Sequence, residues 1–154
     1  MRIAPVLNGH ITPIDVEPQE LLLDVLRERL ALTGAKRSCD VQVCGSCTVL
    51  VDGLPVSSCT YLAAETDGRT VLTIEGLRDL PAFGDITDAF GRHAAVQCGF
   101  CTPGMALTIH ALLASGEMSD EEAVRHGLAG NLCRCTGYRA IVDAAGELAG
   151  VHAS

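Results

Sequence analysis

The sequence of 154 residues is short of basic side chains: 11 lysines and arginines stand against 19 aspartates and glutamates, for a formal charge of −8. Nucleic-acid phosphates and an anionic membrane surface would both repel such a chain, so neither is an expected partner. No stretch reaches the ~18 uninterrupted apolar residues of a membrane span, so no insertion is expected. Met1 to Val16 lacks a basic region followed by a continuous apolar run, and no secretory signal is read there. A P-loop and a Ser/His/Asp constellation are absent, and His10, His93, His110, His126 and His152 show no mutual ligand spacing. Asp120-Glu121-Glu122 reads as acids crowding the first turn of a helix rather than as paired catalytic carboxylates. Little remains with which this chain alone could bind and transform a small substrate.

What the sequence has is cysteine, eight of them, in a chain whose 48% hydrophobic content can build a core without covalent staples. Disulfides belong to secreted chains, and no secretion signal is read. In a reducing cytoplasm, the expected location, eight cysteines read as metal ligands.

The organisation changes part-way along. Ile3–Leu7, the Asn8-Gly9 turn and Ile11–Val16 predict a hairpin. Leu21, Leu22, Val25, Leu26 and Leu30 recur at helical spacing, with Gly34 as the expected stop. Thr48–Val51, Asp52-Gly53 and Leu54–Val56 predict a second hairpin, and Val71–Ile74 a further strand. Residues 1–76 thus form an α+β unit. Residues 77–84, punctuated by Pro81 and Gly84, read as a linker. From 85 to 154 only helices are predicted: Ile86–Val96, Thr102 to about Ala114 with Thr102-Pro103 as its start, one opening at Ser119–Glu122, and Arg139–Leu148.

The cysteines follow that division. Cys39-x4-Cys44-x2-Cys47, with Cys59 later, is the plant-type ferredoxin spacing for a [2Fe–2S] cluster. A tight loop aims backbone N–H groups at the anionic cluster, and Gly45 lets the main chain come close. Cys98-x2-Cys101 and Cys133-x-Cys135 form the second set, each pair leading into a helix whose N-terminus favours negative charge. Their spacing defines a four-thiolate site without naming its metal, and structural zinc remains open for this set taken alone. Beside a plant-type loop in the same chain, iron–sulfur is the preferred reading.

Three segments carry a family resemblance: Cys44-Gly45-Ser46-Cys47-Thr48-Val49-Leu50-Val51-Asp52-Gly53, Gln97-Cys98-Gly99-Phe100-Cys101-Thr102-Pro103-Gly104-Met105, and Asn131-Leu132-Cys133-Arg134-Cys135-Thr136-Gly137-Tyr138. Together they resemble the small iron–sulfur subunit of the molybdenum hydroxylases, the xanthine oxidase and aldehyde oxidoreductase family. The resemblance implies a ferredoxin-like (β-grasp) domain followed by a four-helix domain, each holding one [2Fe–2S] cluster. It also implies a large partner subunit with a molybdopterin cofactor, usually the cytosine dinucleotide, and commonly a medium subunit with FAD. Electrons would pass from molybdenum to the helical-domain cluster, then to the ferredoxin-like cluster, then to FAD. The chain would be a subunit of an oxidoreductase complex, not itself catalytic on substrate; a free-standing two-cluster ferredoxin is the alternative. By the same resemblance Gln97 and Cys135 contact the molybdopterin. Many members carry glycine where this chain has Ser38 and Gln42. Glutamine enters positive φ only at a cost, so the resemblance leaves the loop geometry and the cluster's potential open there, while the four ligands remain and the cluster is still expected to form.

Overall fold

The computed structural model describes residues 1–151, and His152 lies outside them. The first strands are shorter than the sequence suggests. β1 (Arg2–Ile3) and β2 (Val6–Leu7) are separated at Ala4-Pro5, and β3 (His10–Ile11) and β4 (Ile14–Asp15) at Thr12-Pro13. Proline has no N–H for a ladder, which accounts for both breaks. Asn8 (φ 48°) and Gly9 (φ 85°) make the tight turn, with Val6 opposite Ile11 and Leu7 opposite His10. β4 folds back to pair with β1.

α1 (Leu22–Asp24) runs straight into a π-helical turn at Val25–Arg29. Leu22, Leu23 and Leu26 bury against Leu7, Val49, Val51 and Val71 of the sheet. The helix ends at Leu30, with Ala31 following in the left-handed region (φ 55°). Gly34 is therefore not its stop. A Cβ on Gly34 would lie 2.1 Å from Ile74 Cγ2, so its lack of a side chain serves close packing.

One sheet has the order β3-β2-β7-β5-β6, where β5 is Thr48–Val51, β6 is Leu54–Ser57 and β7 is Thr70–Leu72. β2 and β7 run parallel and the other neighbours antiparallel. Ile74, read from sequence as the end of β7, instead opens α2 (Ile74–Leu77).

β5 joins the two halves. All four of its residues are buried. Val49 and Val51 belong to the core with α1, whereas Leu50 belongs to the core of the helices. A strand covered on both faces reads as a continuous apolar run rather than an alternating one. The second core comes from α3 (Pro81–Arg92), α4 (Thr102–Ser115), α5 (Glu121–Gly127) and α6 (Arg139–Ala149), through Ile86, Phe90, Met105, Ile109, Val124 and Ile141. α4 packs on β5, β6, α2, α3, α5 and α6, and so is apolar on nearly every face. The fold is α+β, a mixed sheet followed by helices.

Helical structure begins before residue 85. α2 and α3 occupy much of the segment read as a linker, and Leu77 within it is fully buried. Pro81 suits the first turn of α3, where its fixed φ helps and its missing N–H is not needed. At α4 the capping position belongs to Cys101, not Thr102. Asp120 caps α5 by accepting the Ala123 N–H at 2.8 Å. Among the other histidines, His93 Nε2 lies 2.7 Å from Glu147 Oε2, and burial lowers the pKa of His110.

Candidate metal centres

The loop from Cys39 to Cys47 runs between the π-helical turn and β5. Arg27 Nη1 donates to the carbonyls of Thr33 (2.9 Å) and Ala35 (2.8 Å), and Lys36 N donates to Ser46 O at 2.9 Å. Arg37 pairs with Asp24 and, at 2.8 Å, with Asp40. These bonds close the loop so that its backbone N–H groups turn inward. Cys39 Sγ accepts from Val43 N and Cys44 N, both at 3.4 Å. Backbone N–H groups of Val41, Val43 and Cys44 stabilise its thiolate and bring its pKa down to about 6. Cys59 follows β6, and the adjacent Ser58 Oγ donates to Cys47 O at 2.7 Å, which fixes the two cysteine-bearing segments together. Cys47 and Cys59 are both buried, and burial pushes the Cys59 thiol up to about 11, with Cys47 and Cys39 adding to the rise.

Turning this loop so tightly takes three residues into the left-handed region: Asp40 (φ 55°), Gln42 (φ 58°) and Gly45 (φ 66°). Gln42 thus adopts the conformation that glycine would give without strain. Ser38, the other position where the family often has glycine, does not.

The second set divides into an outer and an inner pair. Cys98 Sγ and Cys135 Sγ are 3.5 Å apart and exposed. Burial and the neighbouring Cys133 raise the Cys101 thiol to about 12. Burial raises Cys133 too, but hydrogen bonds outweigh it and the net direction is down: Thr136 Oγ1 donates to Cys133 Sγ at 3.1 Å, and backbone N–H groups of Thr136 and Cys135 point the same way. Cys133 N donates to Tyr138 Oη at 2.9 Å, which anchors this loop to the start of α6. Only Cys101 stands directly at a helix N-terminus, as the cap of α4; Cys133 and Cys135 precede α6 by several residues. Gln97 is exposed beside Cys98.

None of the eight cysteines is in a disulfide. Cys98 and Cys135 lie side by side and Cys101 neighbours Cys133. With backbone and hydroxyl donors already aimed at Cys39 and Cys133, the donor sets fit a [2Fe–2S] cluster, which four thiolates hold. High thiol pKa values at Cys59 and Cys101 mean that loading a site releases protons.

Two family models match: a 2Fe-2S iron-sulfur cluster binding domain over residues 13–89 and a [2Fe-2S] binding domain over residues 73–146. The nicotine 6-hydroxylase small subunit of Paenarthrobacter nicotinovorans is 46% identical over 90% of this chain and 83% of its own length. The xanthine dehydrogenase iron-sulfur-binding subunit of Escherichia coli O157:H7 is 42% identical over 89% of this chain and 87% of its own. This chain belongs to the small iron–sulfur subunits of the xanthine oxidase and aldehyde oxidoreductase family of molybdenum hydroxylases. It superposes on a chain of quinoline 2-oxidoreductase from Pseudomonas putida 86 with a TM-score of 0.90 at 46% identity, covering 97% of this chain and 92% of that one. As a member of that family it is an iron–sulfur subunit of an oxidoreductase, with a role in electron transfer. No described helix is long and apolar enough to cross a membrane.

Sequence reasoning found the eight cysteines but not the residues that hold them. Thr136 could have been suspected from its place beside Cys135. Asn131 opens the third resemblance segment, but nothing local shows that its side chain meets Gly45 across 86 residues of chain.

Proposed function

We propose that this subunit carries electrons through two [2Fe–2S] clusters, one on Cys39, Cys44, Cys47 and Cys59, the other on Cys98, Cys101, Cys133 and Cys135. The first belongs to a ferredoxin-like unit over residues 1–76, the second to the helical unit that α3 opens at Pro81. Each cluster stores one electron when bound; the protein supplies thiolates, hydrogen bonds to sulfur and exclusion of water. Cys39, Val43 and Cys44 shape the first site, and Thr136 and Tyr138 orient the Cys133 loop of the second.

The observation that carries this reading is the exposure of the Cys98–Cys135 edge. Val96, Phe100 and Leu132, apolar side chains close to these cysteines in the chain, are also exposed, whereas Cys47 and Cys59 are buried. Exposed apolar residues around a redox edge favour a partner that covers them and approaches the electron source closely. The partner we assign there is the large molybdopterin-binding subunit, with its cytosine dinucleotide cofactor contacted by Gln97 and Cys135. Val41 and Val43 are exposed on the Cys39 loop and favour a second partner, an FAD-binding medium subunit that takes the electrons. Cysteines used as cluster ligands rather than in disulfides are in keeping with a cytoplasmic location.

Purified with its partners, the wild-type chain should contain iron and acid-labile sulfide in equal amounts and give two distinct EPR signals on reduction. Cys98→Ser should abolish one signal and keep the other. A single cluster signal in the wild type, or loss of both in a folded Cys98→Ser complex, overturns the assignment. Full electron-carrier activity of the isolated monomer would favour the free-standing ferredoxin.

A further inference from the structure

The two cysteine loops touch. Leu132 N donates to Cys44 O at 2.8 Å, and Leu132 is covalently joined to Cys133. One hydrogen bond therefore connects a thiol-bearing residue of the first set with the neighbour of a thiol-bearing residue of the second. Asn131 lies at this junction and is only 4% exposed. Its Nδ2 donates to Gly45 O at 3.1 Å and to Thr48 Oγ1 at 3.4 Å, while Thr48 Oγ1 donates to Gly45 O at 2.7 Å. The side-chain amide directs its Nδ2 donors at the end of the Cys44 loop and the first residue of β5, and buried donors with their partners in place restrict geometry.

Glycine makes the approach possible. A Cβ on Gly45 would come within 2.4 Å of Gly130 O and 2.5 Å of Asn131 Nδ2. A Cβ on Gly104, in the first turn of α4, would come within 2.2 Å of Gly45 O. Gly45 and Gly104 thus let three backbone segments and one asparagine meet where no further side chain fits. Nothing in this arrangement is needed to supply a thiolate.

We propose that Asn131 is a positioning residue that locks the Cys133 loop onto the Cys44 loop, preserves the Leu132-to-Cys44 hydrogen bond, and so sets the distance and orientation between the two redox sites. The proposal rests on the two-cluster reading above. One electron crosses at this junction: the site on Cys98, Cys101, Cys133 and Cys135 is oxidised, the site on Cys39, Cys44, Cys47 and Cys59 is reduced, and no proton or covalent bond changes hands. The short link through Cys44 O and Leu132 N replaces a longer passage through space.

The test uses the assembled complex, fully reduced, and the mutual broadening or splitting of its two EPR signals, which depends on how the clusters are placed relative to each other. Asn131→Ala should reduce or abolish this interaction and slow electron exchange between the sites, with iron and sulfide content unchanged. Thr48→Val, close to isosteric, should shift it in the same direction by less. If Asn131→Ala does not assemble, Thr48→Val decides alone. An unchanged interaction in the variants that keep both clusters overturns the role of Asn131. Two wild-type signals with no interaction also overturn it, because the sites are then too far apart for this junction to matter. A wild type with one signal instead fails the two-cluster reading itself.

Discussion

Gln42 and Thr60 are hydrogen-bonded side chain to side chain, the Thr60 hydroxyl donating to Gln42 Oε1 at 3.2 Å. The bond ties the apex of the first cysteine loop to the residue after Cys59. Gln42 makes it from a left-handed backbone (φ 58°), so a strained residue is held by a contact that glycine could not make. Left-handed backbone costs an ordinary residue about 1–2 kcal/mol, and a hydrogen bond returns about 0.5–1.5 kcal/mol. Gln42→Gly should therefore be close to neutral. Gln42→Val adds β-branched crowding and loses the bond, and should destabilise the chain by about 1–3 kcal/mol. Denaturant midpoints and the rate at which first-site visible absorbance bleaches would report both. Equal stability of the two variants would mean that the loop relaxes out of this conformation.

Thr136 bears on the second site in another way. Its hydroxyl donates to Cys133 Sγ at 3.1 Å. A hydrogen bond to a cluster sulfur withdraws charge and eases reduction. Thr136→Val should lower the reduction potential of the second-site cluster and leave the first where it is, whereas Thr136→Ser should stay near the wild type. Potentiometric EPR titration of both signals measures this. Identical potentials in the Val and Ser variants would show that the hydroxyl does not act on the sulfur.

Glu75 joins the segment before the first cysteine loop to α2. Its Oε1 accepts the Gly34 N–H at 2.8 Å and its Oε2 accepts the Thr73 hydroxyl at 2.6 Å. Burial raises this carboxyl, but the bonds from Thr73 and Gly34 outweigh it and hold its pKa below the ordinary 4.5. A carboxylate whose pKa is depressed on folding stabilises the native state above its unfolded value, and that stabilisation is lost as pH falls through the lower folded value. Glu75→Gln should cost about 1–2 kcal/mol at neutral pH, and its deficit against the wild type should shrink below pH 4.5. Denaturant unfolding of both proteins across that range gives the comparison. A deficit independent of pH would remove the ionised carboxylate from the explanation.

Much of the fold was legible because local chemistry determines it. Asn8-Gly9 and Asp52-Gly53 adopt positive φ and turn the chain where the dipeptides predict. A helix opens at the acids near Asp120, though Asp120 is its cap rather than part of its first turn, and α6 begins at Arg139 as read. Errors arose where distant packing or a single proline decided the outcome. Gly34 looked like a helix stop and is a contact with Ile74; Ile74 looked like a strand residue and opens a helix; the region around Pro81 looked like a break and starts α3.

Thiol number, spacing and the change from mixed to helical structure were written in the chain itself, because metal ligation needs specific atoms and periodicity is a property of neighbours. The closeness of Leu132 to Cys44, the burial of Asn131 against Gly45, and the assignment of Leu50 to one core and Val49 to the other came only with tertiary structure. Those relationships join residues far apart in sequence, and their geometry depends on how β5 and α4 pack rather than on any preference a short segment carries.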